Sequence, residues 1–257
     1  MIRNFRSPQR PKKSTLVVGR QNVIQALNEG LALDRIYLDG KAIGNDVQEI
    51  KRLAAKAGVP LNYVPLAKIT GFNVTDHEGC VAQIAKVIYQ DLQQMISFVT
   101  DQGETPLFLI LDGITDIRNI GGIARTAYCC GVHAIIIPDK GVGALNEDAI
   151  TTSAGALEKI AVCRVNSLMK AVDDLHMNGI KVIATEMTAE KTISDYDMSE
   201  PLAIIMGSEE KGIYPALMKV CDDTLKIPMA GDFESLNVSV ATGMVLYETM
   251  RQRGLKG

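Results

Sequence analysis

Apolar and polar positions along the chain fall into two successive alternations of short apolar runs with amphipathic segments. In the first, residues 15–18 (TLVV), 35–38 (RIYL), 61–64 (LNYV) and 80–89 (CVAQIAKVIY) are strand-like. Residues 21–29 and 46–57 carry helical spacing, the second closed by Gly58. Elements alternating in this way predict a small α/β sandwich. Residues 90–106 hold a short amphipathic piece, LQQMISFV, and then the polar TDQGETP, which together predict a linker. Beyond it the pattern restarts with strand-like runs at 107–111, 134–137, 159–165, 181–184, 202–206 and 224–227. Several are unbroken apolar runs, as parallel strands covered on both faces require. The expected organisation is a domain over residues 1–90, a linker over 91–105 and a second α/β domain with a parallel sheet over 106–257.

The last periodic segment, 235–253 (SLNVSVATGMVLYETMRQR), follows IPMAG and is the longest. Its apolar residues Val238, Val240, Ala241, Met244, Val245 and Leu246 fall on more than one helical face, which predicts a helix buried nearly all round. Ser235 stands where an N-cap belongs, with Asn237 just behind it.

Composition narrows the class of protein. With 257 residues, 47% hydrophobic, 22% charged and no tryptophan, the chain matches an ordinary globular protein with room for a sizeable core. Cys80, Cys129, Cys130, Cys163 and Cys221 form an odd set with no CxxC pair, each in or beside an apolar run. They read as reduced core residues in a reducing, cytoplasmic compartment. His77, His133 and His176 lie too far apart to suggest a metal site, and no metal is expected. No apolar run approaches the roughly 20 residues of a membrane span, and no membrane partner is expected. The first 13 residues carry five basic side chains and no acid, which fits a nucleic-acid arm, a short transit peptide or a solvated tail. The net charge is −3, so any RNA-binding surface is a local patch and not a uniform one.

Three polar or Gly-rich loops follow strand-like runs. The first, residues 112–125 (DGITDIRNIGGIAR), brings Asn119 and Arg125, with Gly121 and Gly122 allowing close backbone approach before a helix. It lacks both the GxGxxG pattern and a Walker lysine, so a dinucleotide or NTP site is not indicated. The second, residues 207–212 (GSEEKG), places Glu209 and Glu210 at the C-terminal end of a run expected to be a parallel strand, where open α/β sheets bind ligands. The third is IPMAGDFESLNVS. A further polar loop, residues 73–79, carries His77 in the first domain, where it fits either a surface position or an RNA contact.

Asn119 with Arg125, GSEEKG after an apolar strand, and IPMAG followed by SLNVSVA, in that order, resemble the three motifs of the SpoU (TrmH-like) branch of the SPOUT RNA methyltransferases. The likeness covers residues 106–253, and the N-terminal part, with DHEGCVAQIA, is similar to the L30e-like substrate-binding domain found in that family. Within the second motif, Glu210 stands where the family usually has glycine. The resemblance implies a deep C-terminal trefoil knot, which ordinary topology rules would not propose. It also implies S-adenosyl-L-methionine as cofactor, held by backbone near Gly207, Ile227 and Leu236, and a homodimer formed through the C-terminal domain.

The reaction implied is 2′-O-methylation of a ribose in RNA, expected on a guanosine of large-subunit (23S) rRNA, with transfer RNA as the alternative substrate. Arg125 takes the central role by resemblance. A guanidinium is a poor proton acceptor, so Arg125 is expected to hold the RNA phosphate and stabilise the developing alkoxide. Asn119, Glu209, Ser235 and Asn237 would orient it and the ribose, with Glu209 as a candidate partner of Arg125. Two readings compete: a non-catalytic RNA-binding or ribosome-assembly protein of the same fold, and a small-molecule enzyme that uses the loops for a nucleotide.

Overall fold

The computed structural model describes residues 16–143, 145, 147–231 and 235–254. The basic N-terminal arm lies outside the described residues. The chain forms two units, Met1–Ile88 and Tyr89–Gly257.

The first unit runs β1 (Leu16–Val18), α1 (Arg20–Asn28), β2 (Leu33–Asp39), α2 (Asn45–Lys56), β3 (Leu61–Val64), α3 (Leu66–Thr70) and β4 (Cys80–Ile84). Its sheet has the order β1-β4-β2-β3, with β4 antiparallel to both neighbours and β2 parallel to β3. Val23 and Leu27 of α1 and Val47, Ile50 and Leu53 of α2 bury against Ile36, Leu38, Cys80 and Ala82. A smaller cluster of Val64, Ile69 and Val81 also takes in the half-buried Tyr37 and Phe72. The strand expected over residues 80–89 is corrected: β4 ends at Ile84, and β5 (Tyr89–Gln90) pairs with a strand of the second unit's sheet. A continuous apolar run satisfies either sheet, so the pattern alone does not mark the break.

The expected linker also proves to be structured. Residues Leu92–Asp101 form α4, capped by Asp91, whose carboxylate accepts from the Gln94 amide at 2.9 Å. Leu92, Met95, Ile96 and Val99 recur at helical spacing and are buried in the core of the second unit.

After α4 come β6 (Leu107–Asp112), α5 (Ile117–Cys129), β7 (Ala134–Pro138), α6 (Glu147–Thr152), a 3-10 turn (Ala156–Glu158) and β8 (Ala161–Val165). The chain continues with α7 (Leu168–Met177), β9 (Lys181–Thr185), β10 (Lys191–Thr192), β11 (Leu202–Gly207), α8 (Pro215–Met218), β12 (Asp223–Lys226) and α9 (Val238–Gln252). The sheet order is β10-β12-β9-β11-β6-β7-β8-β5, and every neighbouring pair is parallel. Phe108, Ile110, Ala134, Ile136, Ala203 and Ile205 pack with α4 and α7 on one face. The alternate residues Leu107, Leu109, Leu111, Ile135 and Ile204 are equally buried, as the pleat of a sheet covered on both faces dictates.

α5 packs between α6 and α9. A Cβ on Gly121 would lie 2.7 Å from Thr152 Cβ and 2.9 Å from the Ser153 nitrogen, so this glycine admits the α6 backbone. The close approach expected for it is present, though inside a helix and not before one. Towards α9, Gly122 faces Ser239 and Gly243 faces Thr126.

The far end of α9 is tied down by Arg253. Its guanidinium donates to the carbonyls of Met198 (2.9 Å), Thr105 (2.9 Å), Pro106 (3.1 Å) and Glu200 (2.6 Å). Two expectations for α9 are corrected. Its N-cap is Asn237, not Ser235, because the Asn237 side chain accepts from the amides of Ser239 and Val240. The helix is not buried all round in the single chain, because Val240, Met244 and Tyr247, spaced four and three apart, form an exposed stripe.

Gly121→Ala is expected to destabilise the protein by a net ~1–2 kcal/mol, the strain against α6 exceeding the helix-propensity gain of alanine. Urea denaturation measures it. Arg253→Met, which keeps the aliphatic stem but strips four carbonyls of their donor, is expected to cost about 2–3 kcal/mol. A midpoint unchanged from wild type would show that the C-terminal clamp is dispensable.

Candidate functional site

The three motif loops meet on one carboxylate oxygen. Glu209 Oε1 accepts from Asn119 Nδ2 at 3.1 Å, Asn237 Nδ2 at 2.6 Å and the Val238 amide at 3.1 Å. Asn237 Nδ2 also donates to Asn119 Oδ1 at 3.0 Å. Asn119 is in the first turn of α5, Glu209 in the loop after β11, and Asn237 at the cap of α9. The Glu209 charge thus sits at the N-terminus of α9, where the first-turn amides and the helix dipole favour it. Asn237 serves two ends at once, since its Oδ1 accepts from the Ser239 amide at 3.0 Å, the Ser239 hydroxyl and the Val240 amide at 3.3 Å.

The loop carrying Glu209 is a closed turn. Ser208 and Gly212 exchange amide-to-carbonyl bonds at 3.1 and 2.9 Å, and the Ser208 hydroxyl accepts from the Lys211 amide at 3.2 Å. A Cβ at Gly207 would fall 2.3 Å from the Gly212 carbonyl carbon, so only glycine permits this closure. The left-handed residue of the loop is Gly212, with φ at 65°. Glu210 is not among the residues with positive φ, so a side chain in place of the family's usual glycine strains nothing there.

Gly207 ends β11 and Ile227 directly follows β12, and these strands flank β9 on either side. Because all three are parallel, their C-terminal ends share one edge, and the end of β9 at Thr185 lies between the other two. The strand expected at 181–184 is present, but its place at this edge was missed, since nothing in KVIAT announces which strands will be its neighbours. Ile227 is buried, Leu236 is half-buried and Met187 is exposed, so the edge combines backbone groups with apolar surface. Leu236 immediately precedes Asn237, whose Nδ2 donates to Glu209 Oε1.

Arg125 stands apart. It is exposed, about 120° around α5 and about 9 Å along it from Asn119, and makes no ion pair or hydrogen bond with the described residues. The expected pairing with Glu209 is therefore corrected: Asn119 and Asn237 occupy that carboxylate. Ser235 is exposed next to Leu236 and caps nothing. Asp112 was also missed. Its Oδ2 accepts from the Tyr214 amide at 2.7 Å, fixing the chain beyond the Glu209 loop to the end of β6.

In the first unit, the 73–79 loop is unusual in its backbone. Asn73, Asp76 and Glu78 all have positive φ, as does Gly79, and the half-buried His77 accepts from the Gly79 amide through Nδ1 at 3.0 Å. Arg20 Nε donates to the Glu78 carbonyl at 2.9 Å, bracing the loop against the start of α1. Sterically costly conformations held in place this way concentrate at functional sites.

Among the described residues no group of three or more His, Cys, Asp or Glu side chains could hold a metal ion. No helix among them is long and apolar enough to cross a membrane. All five cysteines are free, and burial pushes the Cys80 and Cys163 thiols up to about 12. Cys129 is a correction to the buried set, being exposed at the end of α5.

Residues 106–247 match the SpoU rRNA Methylase family, and residues 16–90 match the family described as RNA 2'-O ribose methyltransferase substrate binding. YacO of Bacillus subtilis, placed in the TrmH family of tRNA/rRNA methyltransferases, is 35% identical over 241 residues, spanning 94% of this chain and 97% of its own. The SpoU methyltransferase AviRb from Streptomyces viridochromogenes, solved with the cofactor AdoMet, superposes with a TM-score of 0.59 at 25% identity, covering 93% of this chain and 90% of its own. A structure described as bearing on the 2-OH methylation of C/U34 on tRNA aligns with a TM-score of 0.53 at 26% identity, covering 58% of this chain and 96% of its own. With more than half of the chain inside the first match and a relative at 35% identity along nearly all of it, the protein belongs to the SpoU (TrmH-like) family of RNA methyltransferases.

Proposed function

We propose that this protein transfers the methyl group of S-adenosyl-L-methionine to a ribose 2′-hydroxyl in RNA, on a guanosine of 23S ribosomal RNA. The observation that carries the reading is the convergence of Asn119, Asn237 and the α9 amide on Glu209, because it joins three loops far apart in sequence at one edge of a parallel sheet. Preference for ribosomal over transfer RNA is supported by the substrate-binding match over residues 16–90, since the tRNA-related structure aligns with only 58% of this chain.

The cofactor fits the edge formed by β9, β11 and β12. Backbone at Gly207 and Ile227, with Leu236 beside them, would hold it, and the apolar surface with bare backbone there suits a nucleoside carrying a sulfonium tail. When bound, it supplies an electrophilic methyl group. The protein's own share is positioning, which can lower a barrier by about 7–11 kcal/mol. Asn119 and Asn237, locked by Glu209, orient the ribose, assisted by the exposed Ser235 two residues before Asn237. Arg125, free of any internal partner among the described residues, is available to an RNA phosphate and to the developing alkoxide.

Two further features belong to the proposal. The C-terminal segment threads a trefoil knot, an arrangement supported by the late insertion of β11 between β6 and β9 and of β12 between β9 and β10. The protein is a homodimer through its C-terminal domain, supported by the exposed stripe of Val240, Met244 and Tyr247 on α9. Five free cysteines suit a cytoplasmic enzyme.

Arg125→Ala is expected to abolish methyl transfer while leaving S-adenosylmethionine affinity within a few fold, since the arginine acts on RNA. Calorimetry and a methylation assay on one preparation separate the two, and an active variant contradicts the assignment. Glu209→Ala, which releases both asparagines and the α9 amide, is expected to lower kcat/KM about a hundredfold, the usual cost of an ångström-scale misplacement. Retention of full activity would mean that the three-loop junction is incidental to catalysis.

A further inference from the structure

On the sheet edge beside the Glu209 loop lies a cleft of about 230 Å³, lined by residues that include Asp112, Gly113, Pro138, Lys140, Leu168 and Tyr214. None of these residues belongs to the motifs assigned above except Asp112 and Gly113, which open the first. The cleft adjoins the catalytic loop directly. Asp112 is the register partner of Gly207, and Gly113 lies against Ser208, where a Cβ would come within 3.7 Å. Its volume is below the roughly 300–1,000 Å³ of pockets for drug-sized ligands, which suits a single flat ring system.

The lining has the chemistry of a nucleobase site. Pro138, Leu168, Met169 and Leu217 give apolar walls, and Tyr214, 65% exposed, offers a large aromatic surface that the chain leaves uncovered. Such a ring stacks on any base. Selectivity comes from Asp112, an acceptor-only carboxylate held in place by the Tyr214 amide at 2.7 Å. Guanine alone among the four bases presents two adjacent N–H donors, N1 and N2, on one edge, and a carboxylate matches that pair. Lys140 is a donor at the rim for a neighbouring phosphate.

We propose that this cleft binds a guanine base of the substrate RNA, stacked on Tyr214 and read by Asp112, and so sets sequence preference beside the methyl-transfer site. The inference rests on the RNA-methyltransferase reading but is tested apart from it. The chain has no tryptophan, so Tyr214→Trp in the full-length protein installs a single reporter. Titration with GMP is expected to quench the introduced indole, with half-saturation at least about fivefold below that for AMP, CMP or UMP. Adding Asp112→Asn, which keeps an acceptor for the Tyr214 amide, should erase the preference. In RNA methylation assays Tyr214→Ala should raise KM about tenfold more than it alters kcat, and Tyr214→Phe should recover most of the loss. Equal or absent quenching by all four nucleotides, or quenching by S-adenosylmethionine alone, overturns the proposal. A wild-type chain that methylates no RNA while the GMP preference holds overturns the functional reading and leaves the cleft assignment standing.

Discussion

One carboxylate oxygen decides how the edge carrying the three motif loops is built. Glu209 Oε1 takes three donors from two distant segments, and it does so at the start of α9, where free amides already favour an anion. The two side-chain bonds are exposed and the one from the Val238 amide is half-buried, and each is modest on its own. Their effect is geometric: α5, the loop after β11 and α9 cannot shift independently while all three hold. Asn237 makes the junction tighter because the same side chain caps α9 and donates to Glu209, so the helix start and the site share one anchor.

The backbone prepares that junction. Parallel strands β9, β11 and β12 bring their C-terminal ends to a common edge, and the glycine at 207 lets the Ser208–Gly212 turn close so that Glu209 projects from it. Small residues do the same between helices, where Gly121 admits α6 and Gly122 and Gly243 face α9. Arg253 then fixes the far end of α9 to carbonyls at Thr105, Pro106, Met198 and Glu200, so the helix is held at both ends. Burial lowers the Arg253 pKa from its usual range, but a guanidinium starts so high that it stays charged.

Much of the architecture was legible because burial leaves a period in the sequence. The run at 61–64 is β3, and the unbroken run at 107–111 is β6, paired in parallel on both sides as its uniform hydrophobicity demands. What the period cannot carry is partnership. CVAQIAKVIY reads as one strand, although β4 and β5 enter different sheets. The piece LQQMISFV was legible as amphipathic, yet only its burial shows that it is core and not connection. Ser235 and Asn237 are both good caps two residues apart, and the geometry chooses the one that also meets Glu209. Asn119, Glu209 and Asn237 were singled out by resemblance, but the bonds between them span 90 and 28 residues and leave no local trace. The position of Arg125 away from them has the same origin, since its angle around α5 matters only once α9 is packed alongside.

The central claim is that these loops serve ribose methylation of RNA, and RNA itself records the answer. Mapping ribose 2′-O-methyl groups nucleotide by nucleotide in ribosomal and transfer RNA, from cells with and without the gene, reads it directly. The account predicts the loss of a 2′-O-methyl group at a guanosine of the large-subunit RNA, restored by the wild-type gene and not by Arg125→Ala. An unchanged ribose-methylation map, or loss of a methyl group from a base instead, would contradict it.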